Sequence, residues 1–161
     1  MDHAIEKKLA TLIRAQRVAS FGTLREGAPL ITLVLYAPAP DFSEFYIRIS
    51  RLALHTASLQ NDPRVSLMIA ESDTRDINPQ TLARVSIQGD AAMIPTTDAQ
   101  FEKIKTVYLE KFPQQAITFQ LGDFAMYRIV PRAARFVAGF AAAFDLTPDD
   151  FRRIAGETRF L

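Results

Sequence analysis

The chain has 161 residues, of which 48% are hydrophobic and 23% charged, and its formal net charge is +1. This length suits a single domain, and a nearly neutral chain offers no overall field that would attract nucleic acid or acidic membranes. The absence of cysteine excludes disulfides, thiolate metal sites and cysteine nucleophiles. No stretch approaches the ~18 apolar residues of a membrane span, and the N-terminus has no signal-like apolar core. We therefore expect a cytoplasmic protein.

The first part of the chain reads as one helix followed mostly by strands. Ile5, Leu9 and Ile13 recur at helical spacing, whereas residues 44–50 alternate between apolar and polar side chains as in a strand. Asp62 should end a short helix, because the residue before a proline is pushed out of the helical region. The predicted elements are a helix over about 2–16, strands over 18–24, 30–36 and 44–50, a short helix over 54–60 and a strand over 65–70.

The second part adds a long strand over 85–94, with Gly89 at a bulge, and a helix that Thr96 or Thr97 caps and that runs to about 112. Two further strands over 124–129 and 135–140 and a short helix over about 148–155 complete the pattern. Consecutive strands with turn-length links favour an antiparallel sheet closed as a small barrel. A parallel sheet would need a helix after nearly every strand and would carry a glycine fingerprint that is absent here.

The segment from Ser50 to Glu71 is the stretch with the most chemical character. Arg51 offers a planar fork of donors, the hydroxyls of Ser50 and Thr56 lie nearby in sequence, and the start of a helix offers free backbone N–H groups. Such a set can bind an anion, but it is also what an ordinary strand end and helix start would contain. Gln88 also allows two interpretations, because a Gln in an otherwise apolar strand must find hydrogen bonds. It either contacts a flat polar ring of a ligand or forms a structural hydrogen bond within the protein.

Side-chain catalysis finds little support in the sequence. His3 and His55 are the only histidines, which makes a histidine-based metal site improbable, and neither a metalloprotease helix motif nor a serine nucleophile elbow is present. The pair Asp149-Asp150 is explained by helix capping. Redox chemistry by a bound cofactor would need none of these groups, because the cofactor supplies the reactive atoms.

Six segments in order resemble the FMN-binding split-barrel superfamily, which is related to pyridoxamine 5′-phosphate oxidase, and within it the branch close to haem-utilisation proteins. The strongest of them is S-R-L-A-L-H-T-A-S-L-Q-N-D-P-R-V-S-L, at 50–67. The others are R-V-A-S-F-G-T-L at 17–24, A-P-L-I-T-L-V-L-Y-A at 28–37, V-S-I-Q-G-D-A at 85–91, G-D-F-A-M-Y-R-I-V-P at 122–131 and A-R-F-V-A-G-F at 134–140.

The resemblance implies a mainly β protein: a six-stranded antiparallel split barrel of Greek-key type with flanking helices, spanning residues 1–161 as one domain. It also implies a homodimer with FMN in a groove at the interface. The phosphate would meet the third strand and the following helix, backbone groups of the second strand would edge the ring, and the fifth strand would reach the ring or the ribityl chain. The residues so implied are Ser50, Arg51, His55 and Thr56 for the phosphate, Thr32, Leu33 and Val34 for the ring edge, and Gln88.

The chain departs from the family pattern in several places. Ser58 stands where the family often has Asn, and Gly139-Phe140-Ala141 replaces a G-F-G motif. Relatives that bind haem use a histidine in a C-terminal extension, whereas this sequence has no histidine after His55. The basic cluster that binds pyridoxal phosphate in the oxidase is not recognisable.

Two functions from different classes follow. The first is a dimeric FMN flavoprotein that acts as an oxidoreductase on an unknown small substrate. The alternative is a non-catalytic module that binds or stores flavin, haem or another planar ligand; haem-handling catalysis is weakened by the missing histidine. Neither function needs metal-ligating side chains as site residues, nucleic acid or a membrane.

Overall fold

A computed structural model of the chain describes residues 1–156. It contains four α-helices, α1 (His3–Ala15), α2 (Leu54–Asn61), α3 (Phe101–Lys111) and α4 (Pro148–Gly156). The strands of the described part are β1 (Val18–Arg25), β2 (Ala28–Leu35), β3 (Ala37–Pro38), β4 (Phe45–Ser50), β5 (Arg64–Ala70), β6 (Arg84–Ile94), β7 (Phe124–Gly139) and β8 (Ala142–Leu146). A 3-10 segment, Pro113–Gln120, connects α3 towards β7.

All strand pairs are antiparallel, and the strands follow the order β2-β1-β5-β6-β7-β4-β3, with β8 paired to β7. The sheet curls until β2 touches β4, but no hydrogen-bonded ladder joins the two ends within residues 1–156. The predicted mainly β split barrel is thus confirmed. The described strands number eight rather than six. The two additional strands are β3, which has only two residues, and β8, which forms a short hairpin with β7.

Two boundaries differ from the sequence-based expectation. The strands predicted over 124–129 and 135–140 are one continuous strand, β7. A bulge lets the sheet pass Pro131 without breaking, and its extra residue is Arg132 of β7, opposite the step from Gln88 to Gly89 of β6. The helix predicted to begin at Thr96 or Thr97 begins at Phe101 instead. The Asp98 carboxylate accepts a hydrogen bond from the Gln100 N–H at 2.8 Å, so residues 95–100 form a turn.

The hydrophobic core has two parts. The larger fills the barrel and includes the fully buried Phe21, Phe45, Ile47 and Leu67, with α1 and α4 covering one end. The smaller lies outside the barrel, where α3 packs through Ile104 and other residues against the outer surface of the sheet. α3 and the 3-10 segment therefore build a second layer beside β4, which matters for the site below.

The N- and C-terminal helices hold each other through a buried carboxylate. Glu6 is 6% exposed and accepts a hydrogen bond from Arg153 of α4, which also binds Asp150 at 2.8 Å. Arg14 donates from its Nη2 to the Ala155 carbonyl at 2.9 Å. These contacts hold α4 against α1, so the two ends of the described chain pack together.

The close approach of β6 and β7 at Gly89, beside the bulge in β7, leads to a prediction about stability. A Cβ at Gly89 would lie 2.3 Å from the Val130 carbonyl oxygen, whereas a Cβ at Gly122 would meet nothing within 4 Å. We expect Gly89→Ala to lower the free energy of unfolding by about 1–3 kcal/mol, because β7 must move to relieve the overlap. Urea unfolding measures this. Gly122→Ala is the control, and equal effects of the two changes would show that the close approach is unimportant.

Candidate functional site

The end of β4 turns directly into α2, and hydrogen bonds around Ser50 shape this turn. The Leu52 N–H donates to Ser50 Oγ at 3.2 Å, and the Ala53 N–H donates to the Ser50 carbonyl at 3.2 Å. Helix α2 then begins without a side-chain cap at Ala53. It stops at Asp62, whose extended backbone before Pro63 matches the expectation from the sequence.

The two hydroxyls of the predicted anion site are both used inside the protein. Thr56 is fully buried, and its Oγ1 donates to the Ser50 carbonyl at 2.6 Å. Ser50 Oγ accepts the Leu52 bond and lies 3.4 Å from Oδ2 of Asp123. Thr56 therefore ties α2 to the end of β4, and the Asp123 carboxylate would oppose an anion placed against Ser50.

His55 is half-buried on α2 and packs edge-on against the ring of Phe21 in β1, with ring centroids 5.8 Å apart. Its Nε2 is buried and has no hydrogen-bond partner within the described chain. Desolvation lowers the pKa of the imidazole, which favours the neutral ring. Since Nε2 is enclosed, a ligand can approach this residue only at Nδ1 or at the backbone N–H.

Arg51 keeps an exposed guanidinium at the start of the turn. Its backbone N–H donates to the Asp123 carbonyl at 2.6 Å, which anchors the residue to the start of β7. Its side chain borders a cleft shared with Arg48 and Lys105. Arg51 is thus a positioned cation with free donors, at the place where the sequence predicts one.

Residues 32–34 lie on β2, the end strand of the sheet, which pairs only with β1. Half of the backbone N–H and C=O groups of such a strand point away from its partner. The Thr32 hydroxyl reaches back to the Phe21 carbonyl at 3.5 Å, Val34 points into the core, and Leu33 is 67% exposed. The unpaired edge of β2 meets β4 across the gap in the barrel.

We call this gap, between residues 32–34 and residues 50–56, the split groove. Phe21 links its two sides, because it contacts His55 and accepts the Thr32 bond. The structure therefore brings together seven of the eight predicted residues: Ser50, Arg51, His55, Thr56, Thr32, Leu33 and Val34. Their roles towards a ligand stay predictions.

Gln88 lies elsewhere in the structure. It is exposed on the outer face of β6, in register with Ser66 of β5, which pairs in turn with Gly22 of β1 and then Ile31 of β2. Three steps between strands put it about 14 Å from Ile31. It borders a depression of about 430 Å³ whose rim carries Arg64 and Arg132.

Two absences apply to the described residues 1–156. No helix there is long and apolar enough to cross a membrane, and no three His, Cys, Asp or Glu side chains converge on a possible metal position.

A family model described as pyridoxamine 5′-phosphate oxidase matches residues 5–138. The chain belongs to this family. The matched range runs from α1 to the end of β7 and contains every residue of the split groove as well as Gln88.

Within the pyridoxamine 5′-phosphate oxidase family, the chain is 35% identical over 127 residues to the chloroplastic haem oxygenase HOZ of Arabidopsis thaliana, covering 79% of this chain and 37% of that protein. It is 29% identical over 119 residues to the haem oxygenase HutZ of Vibrio cholerae, covering 73% and 68%. A haem-binding protein from Mycobacterium smegmatis shares the fold, with a TM-score of 0.81 and 22% identity over 92% of this chain and 60% of the other. The chain thus spans little more than a third of HOZ.

Reasoning from sequence missed two residues that shape the split groove. Asp123 holds the backbone of Arg51 and approaches Ser50, and Phe21 joins the two sides. An acid in a Gly-Asp turn just before a strand is a usable signal, but only once the pairing of β4 with β7 is known. Phe21 looks like any core phenylalanine.

The buried bond of Thr56 predicts a loss of stability on its removal. Thr56→Val keeps the shape but leaves the Ser50 carbonyl without this donor, so we expect the free energy of unfolding to fall by about 1–3 kcal/mol. Thr106→Val is the matched control, because the Thr106 hydroxyl bonds the Glu102 carbonyl on an exposed helix surface. Chemical denaturation of both variants tests the point, and a Thr56→Val protein as stable as Thr106→Val would contradict it.

The buried imidazole predicts a dependence on pH. Since the pKa of His55 is lower in the folded chain than in the unfolded one, the unfolded state binds more protons as the solution is acidified. The free energy of unfolding should therefore decline as pH falls below about 6.5 towards the folded pKa. His55→Gln should remove part of this decline when thermal unfolding is compared between pH 7.5 and pH 5. An unchanged pH profile would show that His55 is not the responsible group.

Proposed function

We propose that the protein binds FMN in the split groove and acts as a flavin-dependent oxidoreductase on a small substrate. The observation that carries this proposal is the meeting of Arg51 with the uncapped start of α2 at one end of the groove. A free guanidinium and free helix N–H groups together suit a phosphate. Bound FMN would supply the hydride or electron chemistry, while the protein positions it.

The residues of the groove fit the phosphate of FMN in part. Arg51 and the backbone N–H groups of α2 remain for the phosphate, and neutral His55 can add a donor at Nδ1. Thr56 and Ser50 would position these groups indirectly. Thr56 donates to the Ser50 carbonyl, and Ser50 Oγ accepts from the Leu52 N–H, so both stabilise the turn that carries Arg51. The carboxylate of Asp123 would repel a phosphate at Ser50, so it favours the Arg51 and α2 side for the proposed anion.

A second copy of the chain would complete the groove. The outer face of β1, β2 and β5 exposes apolar side chains, with Ile31 65%, Leu33 67% and Met68 40% exposed. A sheet face that meets water normally carries polar residues, so this apolar surface suits a dimer interface. Gln88 lies on the same face, where it would reach the cofactor across that interface and not within its own protomer.

Haem is the second candidate, and the specific observation in its favour is the 35% identity to the haem oxygenase HOZ. The geometry fits haem less well. His55 Nε2 is enclosed, so it cannot bind iron without moving, and His3 lies near the exposed N-terminus. Arg51 could still hold a haem carboxylate. If a residue outside the described part of the chain bound the haem iron, haem would become the preferred cofactor over FMN.

The identity of the cofactor is tested on freshly purified full-length protein by mass spectrometry of the released ligand, with absorption spectra during titration by FMN and by haemin. Under the proposal FMN is released or taken up, and light scattering gives about twice the chain mass of 18.0 kDa. Haem uptake without any flavin uptake would establish the second candidate. Bound FMN that no nicotinamide reductant bleaches would indicate a storage or sensing role.

Arg51 provides the site-specific test. Arg51→Gln removes a charge-assisted bond to phosphate and should weaken FMN binding by about 1.5–3 kcal/mol, measured by fluorescence titration of the apoprotein. The matched control is Arg25→Gln, because Arg25 is exposed at the far end of β1. If the two variants bind FMN equally well, Arg51 does not contact the phosphate. Riboflavin, which has no phosphate, should bind both variants alike.

A further inference from the structure

A second cavity, which we call the basic cleft, lies between the barrel and its outer layer. It has a volume of about 410 Å³ and is walled by β4, the ends of β6 and β7, α3 and the 3-10 segment. Volumes of this size are typical of small-molecule sites. Arg51 is the only predicted cofactor residue that borders it; its other walls come from residues outside the split groove.

Three cations border the basic cleft. Arg48 is held rigidly: its Nε donates to Thr118 Oγ1 at 2.9 Å and its Nη2 to the Thr118 carbonyl at 2.6 Å. Lys105 of α3 and Arg51 stand on either side of it. The nearby acids are Glu102, 3.5 Å from the Lys105 ammonium, and Asp123, whose charge acts on Arg48. Glu102 is 79% exposed, so water screens its charge and the cleft keeps an excess of positive charge.

Aromatic rings form the rest of the wall. The guanidinium of Arg48 lies 3.7 Å from the centroid of the Phe119 ring, and the Lys105 ammonium lies 5.3 Å from the same centroid. The remaining apolar lining includes Phe101, Phe124, Met93 and Leu121. Flat apolar walls next to preorganised cations match a ligand that has a flat apolar body and an anionic end.

We propose that the basic cleft is a binding site for a small aromatic anion, such as an aromatic carboxylate or phosphate. The ring would lie against Phe124 and the part of Phe119 that Arg48 leaves open to the cleft. The anionic group would meet Lys105 and the Nη1 of Arg48, which no acceptor in residues 1–156 uses, while Arg51 only borders the cleft and is left to the split groove. This site is separate from the split groove and does not depend on which cofactor that groove binds.

The test uses 2-naphthoate as the anionic probe and 2-naphthalenemethanol as its neutral counterpart, followed by amide NMR shifts on the full chain. At low salt the anion should bind about tenfold more tightly than the alcohol, with shifts at residues 93, 94, 96, 105 and 118–122. Lys105→Gln should weaken naphthoate about fivefold or more, whereas the matched Lys7→Gln on α1 should not. Equal binding of the two probes, or shifts confined to β1, β2 and β5, would overturn the proposal.

The same variants separate this proposal from the cofactor assignment. Lys105→Gln and Phe119→Leu should leave FMN and haemin binding unchanged while weakening naphthoate. If FMN displaces naphthoate and Lys105→Gln weakens both to the same extent, the basic cleft is part of the cofactor site and not a separate one. If neither cofactor binds but naphthoate still does, the cofactor proposal fails and the cleft stands.

Discussion

The bond from the Thr56 hydroxyl to the Ser50 carbonyl is the contact on which the rest of the site depends. It makes the chain reverse from β4 into α2 within a few residues and keeps α2 against the barrel gap. Since Thr56 is buried and its partner is a backbone oxygen, the turn cannot open without leaving a polar group unpaired. The positions of Arg51, His55 and the helix start follow from this one junction.

Much of the fold could be predicted because its elements are local. Alternation in residues 44–50, the proline after Asp62 and the apolar stripe of α1 each specify structure from neighbouring residues alone. Pro131 led to a wrong boundary for a similar reason: judged locally a proline breaks a strand, but the bulge at Arg132, opposite Gln88 and Gly89 of β6, lets β7 continue. The short strand β8 was not predicted, because residues 142–146 show no strong alternation of apolar and polar side chains.

The candidate site was only partly accessible from the sequence. The residue types at 50–56 indicated anion chemistry, and their clustering with β2 came from family resemblance. Which hydroxyls face inward could not be read, because Thr56 and Ser50 look alike as donors until the turn is formed. Asp123 and Phe21 act through contacts between segments distant along the chain, and the basic cleft requires α3, β4 and β7 to be placed together. Such information resides in the tertiary structure.

The uncapped start of α2 has a consequence for how ligand and fold are coupled. A helix often bonds one of its first N–H groups to a capping side chain, but α2 has no side-chain cap. A bound phosphate would act as the missing cap, so occupancy of the groove and helicity of residues 54–61 become one equilibrium. At a free ligand concentration a hundred times its dissociation constant, this linkage would add about 2.7 kcal/mol to the folded state. On the proposal, the bound phosphate would complete α2, the shortest α-helix within residues 1–156.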